Sequence, residues 1–156
     1  MGTFHKPSSL MNTILVPVDF SDATPGVIEQ AVQLATAFSA RVVLLHVIEP
    51  EPDLVGLDGG PPPLELVPLR SSEPERLQLE RLRLTIADQG REVLAVQTRG
   101  STARRIVEEA TAQNAGWIVM GSHGHGALYE ILVGSVTTGV LKDTPCPVVV
   151  VPVRGK

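Results

Sequence analysis

The sequence predicts a doubly wound α/β domain: a five-stranded parallel sheet with helices on both faces. Three observations carry this. Short aliphatic runs recur at Thr13 to Val18, Arg41 to Ile48, Trp117 to Met120 and Val148 to Pro152, and they are continuous rather than alternating, as in strands covered on both faces. Segments of helical spacing separate them, so strand and helix take turns along the chain. A glycine-rich stretch, Gly121-Ser122-His123-Gly124-His125-Gly126, follows the Trp117 run directly, at the strand end where open parallel sheets bind ligands.

Met1 to Met11 lacks the apolar core of a secretion signal, and Lys6 stands where a myristoylation start needs Ser or Thr. It reads as a flexible, cytoplasmic tail (1–11) before one domain over 12–153. Thr13 to Val18 opens the sheet and ends at Pro17-Val18-Asp19. Ser21, Asp22 and Thr24 are candidate caps for a helix with Pro25 in its first turn. Val27, Ile28, Ala31, Val32, Leu34, Ala35 and Phe38 form that helix's apolar stripe. Arg41 to Ile48 is the second strand, interrupted only by His46, which reads as a satisfied interior residue.

Residues 49–72 hold Pro50, Pro52, Pro61, Pro62, Pro63 and Pro68 with Gly56, Gly59 and Gly60, which exclude a helix or a central strand and predict a long loop. Ser72-Glu73-Pro74-Glu75 reads as a capping box for a helix to about Gln89, with Gly90 as its stop. Glu92 to Thr98 is a less apolar strand and is placed nearer an edge. A helix follows from Gly100-Ser101 through Ile106, Val107 and Ala110 to Gly116. The last helix runs from about Ser135 to Lys142. Pro145 and Pro147 fix the entry of the final strand, and no internal repeat is visible.

A chain of 156 residues with 43% hydrophobic and only 3% aromatic residues suits one domain with an aliphatic core. The net charge of −4 gives no basic footprint, which argues against nucleic acid as the main partner. No apolar run reaches the roughly 18 residues of a membrane span. Cys146 is the single cysteine, so no intrachain disulfide forms.

The glycine loop and Gly134-Ser135 both bring backbone N–H groups to one place, the second at the start of a helix whose dipole favours an anion. Leu128, Ile131 and Leu132 form a short amphipathic turn between them. Two phosphate-facing elements suggest a nucleotide. The loop is not a Walker A sequence, and no lysine lies between Lys6 and Lys142. Ser122, His123 and His125 raise nucleophilic catalysis or zinc as alternatives. A covalent site needs a nucleophile, a base and an orienting acid, and no Gly-x-Ser-x-Gly elbow is present. Two histidines lack a third metal ligand.

Gly121-x-x-Gly124, then His125 to Val133, then Gly134-Ser135 resembles the nucleotide-binding signature of the universal stress protein family, in its ATP-binding branch. Ile14 to Ser21, Leu44 to Ile48, Met120 to Gly124 and Pro145 to Pro152 match that family in the same order, covering roughly Asn12 to Val153. The resemblance implies a Rossmann-like fold of the adenine nucleotide alpha hydrolase type. It implies that Pro17, Val18 and Asp19 contact the adenine and ribose of ATP, with capping of the next helix as a second role for Asp19. Val47 lies against the adenine, Met120 against the sugar or base, and Gly121, Ser122, His123, Gly124 and His125 beside the phosphates, with exposed loop residues as the alternative for His123 and His125. Gly134, Ser135, Val136 and Thr137 face the β and γ phosphates, with a plain N-cap as the alternative for Ser135. Two positions depart from the pattern: Gly100-Ser101-Thr102 replaces Gly-x-Pro, and His125 stands where a basic residue often follows the glycine.

These readings combine into a cytoplasmic ATP-binding protein of stress regulation, with Mg²⁺ carried by the phosphates. Val148, Val149, Val150 and Val151 are expected to pair with a second copy in a homodimer. At most slow ATP hydrolysis is expected. A nucleotide-independent interaction module is the alternative, whereas an ATP-using transferase would need a second substrate pocket. A receiver domain is excluded because Gln97-Thr98-Arg99 lacks the acidic residue of phosphorelay chemistry.

Overall fold

Among the residues described by the computed structural model, 12–50, 72–122 and 133–153, strand and helix alternate without exception. The elements are β1 (Thr13–Pro17), α1 (Thr24–Phe38), β2 (Arg41–Ile48), α2 (Glu73–Ala87), β3 (Val93–Arg99), α3 (Thr102–Ala112), β4 (Trp117–Gly121), α4 (Ser135–Asp143) and β5 (Val148–Val151). The expectations for the tail 1–11 and for 51–71 fall outside the described residues. The strands form one sheet in the order β3-β2-β1-β4-β5, with every pair parallel. The winding proceeds outward from β1 through β2 to β3, then restarts on β1's other side with β4 and β5. This is the doubly wound sheet that the alternation predicts, and β3 lies at an edge as its polarity suggests.

Alternate strand residues serve opposite cores, which explains why the strand sequences are apolar throughout. Ile14, Val16, Val42, Leu44 and Val119 pack under Val27, Ala31 and Ala35 of α1 and Leu79 and Ile86 of α2. Leu15, Val43, Leu45, Ile118 and Met120 face Ile106 and Ala110 of α3 and Val140 of α4. The two helix layers thus clamp the sheet, leaving its carboxyl-end rim for the connecting segments.

Helix ends depart from the sequence reading. The N-cap of α1 is Ala23, and no side chain caps the helix; the entry is a turn in which Thr24 N–H donates to the Ser21 carbonyl at 3.0 Å. Asp19, Ser21, Asp22 and Thr24 are therefore not its caps. The capping box of α2 does not form either. Ser72 occupies the N-cap with φ −84° and ψ 6°, not the extended backbone that aims a hydroxyl at the first N–H groups. Glu73 pairs instead with Arg76 at 2.6 Å. α2 ends at Ala87 rather than Gln89, after which Gly90, at φ +76°, turns the chain as the expected stop. α3 ends at Ala112, short of Gly116, because Asn114 takes the left-handed conformation at φ 50°. The N-cap of α4 is Gly134, so Ser135 is its first residue and not its cap.

α3 and α4 lie close together at Gly139, where an added Cβ would lie 2.8 Å from the Ala103 Cβ. Gly139→Leu should therefore force the two helices apart. Urea titration is expected to show a loss of about 1–3 kcal/mol, the usual cost of overpacking, exceeding the gain in helix propensity. Unchanged stability would mean that this helix pair yields freely.

Candidate functional site

The reversal of strand order between β1 and β4 opens a cavity of about 710 Å³ at the carboxyl ends of β1, β2 and β4. That is the switch point at which open α/β sheets take ligands, and the volume lies within the range of small-molecule sites.

Its floor begins where β1 stops. Val18 N–H donates to the Leu45 carbonyl at 2.8 Å, and His46 Nδ1 lies 2.9 Å from the Val18 carbonyl. A carbonyl only accepts, so Nδ1 carries the proton and His46 is the satisfied interior residue expected of it. Asp19 Oδ1 accepts the Ser21 N–H at 3.0 Å. Between them Phe20 adopts φ 61°, a left-handed conformation uncommon for a bulky residue, and its ring sits 4.7 Å from that of His46. The chain is thus wrenched away from the sheet just after Asp19.

That departure exposes the backbone of β2. In a parallel strand, successive residues send their N–H and C=O groups to opposite neighbours. The Leu45 carbonyl faces β1, bonded by Val18, whereas the Ile48 carbonyl faces β3's side, bonded by Gly100 N–H at 3.0 Å. Val47 therefore turns its N–H and C=O toward the side that β1 has left. The Val18 carbonyl that a continuing ladder would offer it is held by His46. Val47 lines the cavity with a main-chain donor and acceptor side by side.

The opposite wall is built from β4 and α4. Gly121 ends β4 in register with Val151 and has no positive φ. The Ser122 carbonyl accepts Gly134 N–H at 2.8 Å, and the Thr137 hydroxyl lies 3.1 Å from the Gly121 carbonyl and 3.2 Å from that of Ser122. Thr137, 1% exposed, thereby pins the first turn of α4 to the end of β4. The N–H groups of Ser135, Val136 and Thr137 precede the first helical bond, from Thr138 to the Gly134 carbonyl, and form the positive end of the helix dipole.

Of the expected contact residues that lie among those described, Pro17, Val18, Asp19, Val47, Met120, Gly121, Gly134, Ser135, Val136 and Thr137 all line this one cavity. Ser122 does not, and its hydroxyl accepts Val153 N–H at 3.3 Å. His123, Gly124 and His125, like Gly126 and the turn at Leu128, Ile131 and Leu132, lie outside the described residues. The sequence reading missed Phe20, Glu49, Glu75, Thr102 and Ile106, and it took Thr24 for a cap. Glu49 and Thr102 meet at the rim, where the Thr102 hydroxyl donates to Glu49 Oε1 at 2.6 Å.

The cavity has a polarity. Asp19, Glu49 and Glu75 lie toward the β1 and β2 end, whereas α4 presents N–H groups at the β4 end. No lysine or arginine is among the described lining residues, and among the described residues no cluster of histidine, cysteine, aspartate or glutamate is suited to a metal ion. No described helix is long and apolar enough to cross a membrane.

A sequence profile for the universal stress protein family matches residues 11–152. The universal stress protein MJ0531 of Methanocaldococcus jannaschii is 32% identical over 145 residues, which cover 92% of this chain and 83% of that protein. MJ0577, a universal stress protein of the same organism, is 30% identical over 156 residues, covering 92% and 96%. The solved structure of MJ0577 superposes with a TM-score of 0.75 at 26% identity, covering 95% of this chain and all of the other. Two further universal stress proteins share the fold at 21% identity: one solved in complex with cAMP (TM-score 0.67, covering 92% and 98%) and one from Archaeoglobus fulgidus in complex with dAMP (TM-score 0.65, covering 91% and 98%).

Proposed function

The chain belongs to the universal stress protein family, and from that premise we propose that it binds ATP as a regulatory ligand in the cavity at the β1/β4 switch point, acting as a homodimer in the cytoplasm. The observation that carries this reading is the cavity's polarity. A nucleotide has a neutral base and hydroxyl-bearing sugar at one end and a polyanion at the other. The acidic end here accepts hydrogen bonds from a sugar and a base, and repels phosphate. The first turn of α4 supplies N–H groups and a favourable dipole to the phosphates. The cAMP and dAMP complexes of two proteins of the same fold support an adenine nucleotide.

Identification of the ligand released from gently denatured, purified protein by mass spectrometry tests the reading. ATP is expected. A protein that neither carries nor takes up any adenine nucleotide would instead be the nucleotide-independent interaction module.

The residues present suit a metal only as the partner of the phosphates. With no cationic side chain among the described lining residues and no described carboxylate cluster to hold a resident ion, Mg²⁺ would enter on the triphosphate and keep most of its waters. ATP affinity should fall about tenfold or more when chelator replaces Mg²⁺ in a calorimetric titration. Equal affinity in both buffers would show that N–H groups suffice.

A further inference from the structure

The wall formed by α1 and α2 carries polar atoms with nothing to bond. Thr24 is 6% exposed, lines the cavity, and its Oγ1 is buried without a hydrogen-bond partner. Glu75 lines the same cavity from α2, and its Oε2 is likewise buried and unpartnered. An orphaned carboxylate oxygen is costly, more so than an orphaned hydroxyl, and a native chain that retains one at a cavity wall has a use for it. Local structure does not account for the position. Glu75 would close a capping box with Ser72, yet that box does not form, and the arginine one residue on pairs with Glu73.

Resting on the nucleotide reading above, we propose that Glu75 reads the exocyclic amine of the bound base, so that the cavity selects 6-amino over 6-oxo purines. The amine of adenine has two hydrogens. The Val47 main chain, with its N–H and C=O turned to the side β1 has left, suits one of them together with the adjacent ring nitrogen. The second hydrogen needs a separate acceptor. Glu75 supplies one from the α2 wall, and a carboxylate can only accept. A 6-oxo purine would place an acceptor oxygen there, facing the carboxylate oxygen, and no hydrogen bond would offset the loss of water. Hydrogen bonding to a charged group commonly accounts for tenfold or more in affinity, and rejection through an unpaired carboxylate oxygen is of the same order.

The test compares ATP with inosine triphosphate, which carries oxygen in place of the amine and a hydrogen on the adjacent ring nitrogen. The Val47 main chain therefore disfavours it in every variant, and the contribution of Glu75 is read from the change in the ratio. Wild-type protein, Glu75→Leu and Glu75→Gln are titrated with each, and their folding is checked by thermal melting. The wild type should prefer ATP. Glu75→Leu should lower ATP affinity and raise that of inosine triphosphate, so that the ratio falls by about tenfold or more. Glu75→Gln should narrow the preference, because its amide can turn either an oxygen or an NH₂ group to the base while the Val47 main chain still favours adenine. A merely structural role would weaken both nucleotides together. That result, or an unchanged ratio in Glu75→Leu, overturns the proposal while leaving ATP binding intact. A wild-type protein that binds neither nucleotide overturns the nucleotide reading and this proposal with it.

Discussion

Gly134→Val is expected to abolish measurable ATP binding while the domain stays folded. The backbone at Gly134, with φ −63° and ψ 165°, is extended and open to any residue, so valine adds no dihedral strain. Replacing a glycine N-cap by a β-branched residue costs about 1 kcal/mol or less. The side chain, however, would stand at the mouth of α4, over the first-turn N–H groups of Ser135 and Val136 that are left for an anion. Retreat is blocked. Gly134 N–H is bonded to the Ser122 carbonyl, and Thr137 fastens the same turn to Gly121 and Ser122. A loss of a hundredfold or more, about 3 kcal/mol, follows when the phosphate contacts are denied. Calorimetric titration with circular dichroism decides the matter. Wild-type affinity in a folded Gly134→Val protein would remove α4 from the site.

Val150→Pro is expected to convert a dimer into a folded monomer. β5 is the outer strand beyond β4, and its residues are half-buried in one copy of the chain. The carbonyls of Pro147 and Val151 accept from Ile118 and Ser122, so these residues face β4. Alternation then turns the N–H groups of Val148 and Val150 outward. An aliphatic edge with free donors is a template for a second strand, and a two-fold axis would pair it with its own copy and close the contact. Proline at 150 removes one outward donor that the chain's own sheet does not use. Proline at Val149, which faces β4, should instead damage the fold itself, and this contrast separates lost pairing from lost stability. Sedimentation at tens of micromolar, an order of magnitude chosen to catch weak association, should give a dimer for the wild type. A wild-type monomer under those conditions refutes the expectation.

The strands were legible because burial on both faces leaves no room for polar alternation: Val42 to Leu45 serve both cores in turn, and such a run has few other readings. The doubly wound class followed from the alternation of strand and helix, whereas the strand order came only with the structure. Helix ends were less legible, since Ser72 is the right residue in the wrong backbone conformation, which no local pattern reveals. The glycines and strand ends led to the residues of one cavity because a parallel sheet gathers its carboxyl ends along one rim. Glu75 escaped for the opposite reason. It reaches the cavity from a helix beyond residues 49–72, and in the sequence it resembles any acidic residue of a first turn. Phe20 carries no mark of its left-handed backbone.

Val47 has a consequence for how such a protein can diverge. What it turns to the cavity's open side is main chain, and its side chain belongs to the core shared with α3 and α4. Exchange for isoleucine or leucine would alter packing and leave the same donor and acceptor in place. Selection on ligand choice therefore has no direct grip on this position. On the nucleotide reading, specificity drifts through neighbours whose side chains face the ligand, and identity at residue 47 says little about the base.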